Sequence, residues 1–199
     1  MTALAADKVL IEAVGPEAGT GLWIKRAALV VLGVAALAIF AKIKIPMWPV
    51  PITMGTFAVL TIGAAYGPRL GLATIVGYMI IGALGYDIFA NSSSESFGLD
   101  YMMGGTGGYL LGYVLATLAL GALARRGWDR SVSLMALAML IGTALIYIPG
   151  LLWLGQLYGW DKPILEWGLT PFLLGDGLKL ALAALLVPGL WKLLGSARA

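Results

Sequence analysis

The sequence predicts an all-α membrane protein of six transmembrane helices, and three observations carry that prediction. Of 199 residues, 60% are hydrophobic and only 12% charged, about half the charged share of an ordinary soluble domain. The mean hydropathy is +0.93. The charges gather between long uncharged runs, so lipid is the solvent for most of the surface.

The runs define the spans. Ala27 to Ala41 is uncharged between Lys25-Arg26 and Lys42, whose long stems reach the interfaces. Pro46, Pro49 and Pro51 delay the second helix to Thr53, from where it runs to Tyr66. Gly67-Pro68-Arg69 reads as a turn, and Leu70 to Tyr86 as the third helix. Asp87 to Asp100 is a polar, Ser-rich loop. Tyr101 to Ala124 forms the fourth span, the run from Ser131 to Trp160 holds the fifth with a loop, and Pro171 to Leu193 forms the sixth. Ahead of them, residues 1–22 read as a cytoplasmic tail with a short amphipathic helix around Lys8 to Val14, leaving 23–195 as the transmembrane domain.

Basic residues set the orientation, because cytoplasmic segments carry the Lys/Arg excess. With the N-terminus inside, Lys8, Lys25, Arg26, Arg69, Arg125, Arg126, Arg130, Lys192 and Arg198 lie on the inner side. Only Lys42, Lys44 and Lys162 lie outside. Both termini are therefore expected in the cytoplasm, with the Pro-rich loop, the Ser-rich loop and the Trp160 region facing outward.

Composition also excludes chemistry. His and Cys are both absent, which removes thiolate nucleophiles, haem ligation, nearly all transition-metal sites and the commonest general base. No catalytic residue and no cofactor is assigned. The basic residues follow the membrane loops, so no nucleic-acid partner is expected.

Three segments stand out. Asp176 and Lys179, within Gly175-Asp176-Gly177-Leu178-Lys179, place two charges in one apolar span. Each costs about 2.5 to 3.5 kcal/mol at a helix centre, and their spacing puts them on one face. They either pair or snorkel, or they form a polar hook for a ligand offering both donors and acceptors. Gly104, Gly108 and Gly112 recur every four residues and suit close helix packing. The segment Gly104-Gly105-Thr106-Gly107-Gly108-Tyr109 has no following Gly-Lys-Ser/Thr, so it is no phosphate loop. The prolines of Pro46-Met47-Trp48-Pro49-Val50-Pro51 stiffen a loop that presents Trp48 outward, as a lid over a pocket or as a connector.

In combination these segments resemble the BioY family, the biotin-specific substrate-binding S components of energy-coupling factor (ECF) vitamin transporters. The resemblance rests on Pro49-Val50-Pro51-Ile52-Thr53-Met54 with Thr56-Phe57-Ala58-Val59-Leu60, then Gly67-Pro68-Arg69-Leu70-Gly71. It continues through Gly82-Ala83-Leu84-Gly85 with Ile88-Phe89-Ala90, Gly105-Thr106-Gly107-Gly108-Tyr109-Leu110-Leu111-Gly112-Tyr113, and Asp176 with Lys179. The order is kept from about residue 25 to 195.

The resemblance implies an S-component-like fold and a biotin pocket near the outer face, roofed by the outward loops. Asp176 and Lys179 match the family's polar residues that hold the biotin head; Asn91 matches a polar contact from the third loop. Thr106, Gly107, Gly108 and Tyr109 would line the wall, and Trp48 would belong to the roof. The implied partners are biotin, the lipid bilayer, and an ECF T component with its ATPase pair. The implied place is the inner or plasma membrane of a bacterial cell, as a multi-pass protein. Three departures stand out. Gly55 replaces a usual polar residue, Gly105 stands where relatives often have a bulkier one, and the first helix lacks an Ala-x-x-x-Ala pair among Ala28/Leu32, Val31/Ala35, Val34/Ala38 and Leu37/Ala41. The alternative readings are the same fold carrying another vitamin, a membrane-embedded enzyme using Asp176 alone, and a scaffold subunit with no ligand.

Overall fold

The computed structural model describes residues 7–92 and 96–196; Ser93, Ser94, Glu95 and Arg198, used above for the loop and the charge bias, lie outside the described residues. Five long helices dominate it: α1 (Gly19–Lys42), α2 (Gly55–Ala83), a short α3 (Gly98–Met103), α4 (Gly107–Arg125), α5 (Val132–Tyr158), a short α6 (Ile164–Gly168) and α7 (Leu173–Ser196). All five long ones are apolar enough to cross a bilayer.

The count of six spans is recovered inside α2. Gly67 has φ 75° and ψ 177°, a left-handed conformation that a Cβ would strain. There the chain turns back on itself. A Cβ on Gly71 would lie 3.6 Å from the Cα of Gly63, although eight residues of continuous helix span about 12 Å. Residues 55–66 and 68–83 are therefore two antiparallel limbs, as the Gly67-Pro68-Arg69 turn predicted.

α4 packs between α2 and α5, α1 lies against α2, and α7 closes the bundle against α5 and α2. Small residues set the spacing. A Cβ on Gly121 of α4 would collide with the backbone of Gly67 and Pro68, and one on Gly112 would lie 2.6 Å from the Cα of Ile146 in α5.

Helix ends differ from the expected ones for identifiable reasons. α1 starts at Gly19, inside the expected tail, because the uncharged stretch Gly19 to Ile24 continues the helix ahead of Lys25. The uncharged run from Tyr101 to Ala124 is broken at Gly104 to Thr106, in a glycine-rich stretch that disfavours helix, and Trp153 of α5 donates to the Gly104 carbonyl there (2.8 Å). The amphipathic helix expected over Lys8 to Val14 is one 3-10 turn, Leu10–Ala13. Val9 and Ala13 are fully buried against the bundle, and Arg125 grips Glu12 through both guanidinium nitrogens (2.7 and 3.2 Å).

The bundle thus has two unlike ends. The first carries Lys25, Arg26, Arg69, Arg125 and the turn Trp128–Arg130. There Asp129 is buried and accepts from Trp191 Nε1 of α7 at 2.6 Å, while the Arg130 guanidinium lies 4.4 Å from the Trp191 ring. The second end carries the loops. Strands β1 (Lys44–Ile45) and β2 (Ile52–Thr53) pair antiparallel and draw the Pro-rich segment into a ribbon. Its peptide between Trp48 and Pro49 is cis.

Candidate functional site

Beneath the loop end lies a cavity of about 50 Å³, walled by α2, α4, α5 and α7 and by residues 50–53 and 89–90. Its lining is aromatic. The Phe89 ring stacks on Tyr101 (centroids 4.8 Å apart) and meets Tyr78 edge-on (5.3 Å). Tyr109 and Tyr113, four apart on one face of α4, join Tyr147 of α5 and Phe172 ahead of α7. Small-molecule sites usually enclose roughly 300 to 1,000 Å³, so a ligand larger than a few waters enters only if these walls part.

The polar feature of that wall is a four-residue network. Lys179 Nζ donates to Asp176 Oδ1 at 2.8 Å and to Thr56 Oγ1 at 3.1 Å, and the Tyr147 hydroxyl donates to Asp176 Oδ2. Both charged side chains are about 10% exposed. Two charges with partners on every side are tolerable in an apolar bundle, because each gains charge-assisted hydrogen bonds in place of water. Of the two readings the sequence offered, the pairing is formed, and Lys179 also faces the cavity.

The other expected residues divide. Thr106 and Tyr109 line the cavity, and the Tyr109 hydroxyl donates to the Gly168 carbonyl at 2.7 Å. Gly107 and Gly108 turn away from it: a Cβ on either would run into Trp153, and on Gly108 also into the Pro149 carbonyl of α5. Asn91 lies in the loop above, its side-chain oxygen accepting from Lys44 Nζ at 2.7 Å. Trp48 does not line the cavity: it is exposed between the two strands of the ribbon, 5.0 Å from Trp167 and 5.4 Å from Tyr158 by ring centroids. Lys42 joins the same closure, bonding Asp87 (2.5 Å) and the Phe89 carbonyl (2.7 Å). The Lys42 ammonium, and then the Ser92 hydroxyl, hold the Asp87 carboxyl below its ordinary range.

Tyr147, Thr56, Tyr101 and Tyr113 were not singled out from sequence. The available signals were a polar aromatic in an uncharged span and the four-residue spacing of Tyr109 and Tyr113.

The model of the BioY family matches residues 11–196. The chain belongs to the BioY family. Among curated BioY relatives, it is similar to a probable biotin transporter BioY of Pyrococcus horikoshii, 36% identical over 162 residues, covering 81% of this chain and 93% of that one. It is also similar to the biotin transporter BioY of Thermotoga maritima, 31% identical over 159 residues, covering 80% and 91%. In fold it is similar to the crystal structure of the S-component for biotin from an ECF-type ABC transporter. The TM-score is 0.70 at 19% identity, over 88% of this chain and 95% of that one. BioY is a transporter family, so the chain is a multi-pass membrane protein of that kind and not an enzyme.

Proposed function

We propose that this protein binds biotin and carries it across the membrane, as the substrate-specific S component of an ECF transporter or as a solitary biotin uptake protein. The observation that carries this reading is Lys179 at the wall of an aromatic cavity, ion-paired with Asp176 beside it, in a BioY chain. A ureido ring offers two N–H donors and one carbonyl. Asp176 suits the donors and Lys179 the carbonyl, so the uncharged ureido head exchanges hydrogen bonds with the pair. Tyr147 and Thr56 hold the two side chains for that exchange. The aromatic rings receive the apolar part of biotin, Thr106 and Tyr109 frame the wall, and Gly107 and Gly108 seat α4 on α5. Asn91 and Trp48 act in the roof.

In this reading the basic end faces the cytoplasm, in the inner or plasma membrane of a bacterial cell, with both termini inside. An ECF T component and an ATPase pair are the energising partners where they are used. A cysteine at Met47, in this Cys-free chain, is then labelled from outside; labelling only from the cytoplasm reverses the orientation.

Equilibrium binding of biotin to the purified protein in detergent tests the function. Asp176→Asn and Lys179→Met weaken binding by roughly 10- to 100-fold, the cost of a lost charge-assisted hydrogen bond. Undiminished affinity in both variants removes the assignment, and no binding by the wild type removes the function.

A further inference from the structure

At the basic end, between α1 and α2, a groove of about 720 Å³ opens to the side of the bundle. Its rim holds Lys25, Arg26, Arg69 and Arg125, against the one carboxylate of Glu12. Its walls are apolar, with Val30 and Val31 of α1 facing Tyr66 and Leu70 of α2. The Tyr66 hydroxyl donates to the Leu29 carbonyl at 3.1 Å and fixes the two helices together.

The rim is not neutralised from within. Arg125 is engaged by Glu12, and Lys25 donates to the Val14 carbonyl. Arg26 lies over the Trp23 ring at 5.4 Å. Among the described residues neither Arg26 nor Arg69 forms an ion pair, and both are exposed. Val30 is one turn further into the bundle than Arg26, about 6 Å along the helix. Trp23 and Val31 are 66% and 67% exposed, which in this chain means exposed to lipid.

We infer that this groove binds one anionic diacyl phospholipid, its phosphate at Arg26 and Arg69 and an acyl chain against Val30, Val31 and Leu70. Charge complementarity selects the occupant. An apolar helix laid here would bury two unpaired guanidinium groups, whereas a free anion would leave the apolar wall unused. A phospholipid has its charge and its hydrocarbon separated in the same order and direction as the groove. Trp23 marks the interface where such a headgroup lies.

The test uses the full chain in phosphatidylcholine nanodiscs carrying graded phosphatidylglycerol, with bromine on the acyl chains of one lipid or the other. Trp23 fluorescence is isolated by subtracting the Trp23→Phe variant. The expected result is half-quenching of Trp23 at several-fold lower mole fraction of brominated phosphatidylglycerol than of brominated phosphatidylcholine. Each neutralising substitution, Arg26→Gln and Arg69→Gln, lowers that preference about fivefold, and added salt lowers it further. Unchanged thermal unfolding of the double variant verifies its fold. Equal quenching by both lipids overturns the inference, as does a preference that survives the double variant. Loss of the preference on adding inorganic phosphate, at an ionic strength where chloride leaves it intact, reduces the groove to a simple anion site. Protection of Trp23 by an acidic amphipathic peptide, with no lipid preference, assigns it to a protein partner instead. Either result overturns the lipid.

Discussion

Lys44 on the first strand of the ribbon donates to the side-chain oxygen of Asn91, 2.7 Å away across 47 positions of sequence. The same ammonium reaches the Ala90 carbonyl, so one side chain ties the Pro-rich ribbon to the loop that carries Phe89. The ribbon and that loop are thereby tied to each other.

If that tie holds the roof shut, Lys44→Ala speeds biotin release roughly three- to tenfold, the worth of a partly exposed hydrogen bond. Asn91→Ala does part of the same, and the double variant is no faster than Lys44→Ala, since both remove one interaction. A chase of bound, labelled biotin measures it. Release at the wild-type rate in Lys44→Ala would show that the roof closes by other contacts.

Tyr147→Phe removes one hydroxyl and leaves the ring in its cavity wall. Asp176 then loses a hydrogen bond and orients less firmly, which weakens biotin binding by roughly three- to thirtyfold. Thr56→Val acts likewise through Lys179. The two effects are less than additive, because they meet in one ion pair. Isothermal titration of the four proteins of this cycle decides; strict additivity would separate the two hydroxyls from a common network.

Gly121→Ala forces α4 off the Gly67-Pro68 turn, for the added carbon has no room there. Overpacking of this kind costs about 1–3 kcal/mol, read as a lowered Tm in detergent. Gly67→Ala lowers it through the backbone instead, by about 1–2 kcal/mol, since Gly67 is left-handed. Wild-type Tm in both variants would contradict the tight turn.

Burial raises the pKa of Asp129 above the ordinary 3.8. The folded chain therefore keeps a proton that the unfolded chain has lost, and this group's contribution to stability falls as pH rises from that ordinary value toward the folded one. Above the folded pKa it is constant. Asp129→Asn keeps an acceptor for Trp191 Nε1 and removes this slope. Thermal unfolding of both proteins from pH 4 to 8 checks it, and an identical slope in the two would place the effect elsewhere.

What the sequence made legible was whatever acts locally. Uncharged runs mark the spans because lipid penalises each charge separately, and Gly67-Pro68 marks its turn because glycine and proline both disfavour a continuing helix. Asp176 and Lys179 stood out for the same reason. What stayed hidden depends on neighbours distant in the chain. Tyr147 meets Asp176 29 positions away, and nothing near either residue announces the other. Gly107 and Gly108 carry the resemblance, yet Trp153 and Pro149 occupy their faces. The partner of the Gly104 carbonyl, Trp153, is likewise 49 positions on.

Thr56, Tyr147 and the Asp176–Lys179 pair stand on α2, α5 and α7. Four side chains on three rods form a gauge of how those rods are aligned. Sliding α7 by one turn, about 5.4 Å, would carry Lys179 beyond the reach of Thr56 and Asp176 beyond that of Tyr147. Grip on a ligand and helix alignment are then one variable, and reciprocity follows. Whatever pushes α7 out of register loosens the grip, and a ligand that strengthens the grip resists the push by the same free energy.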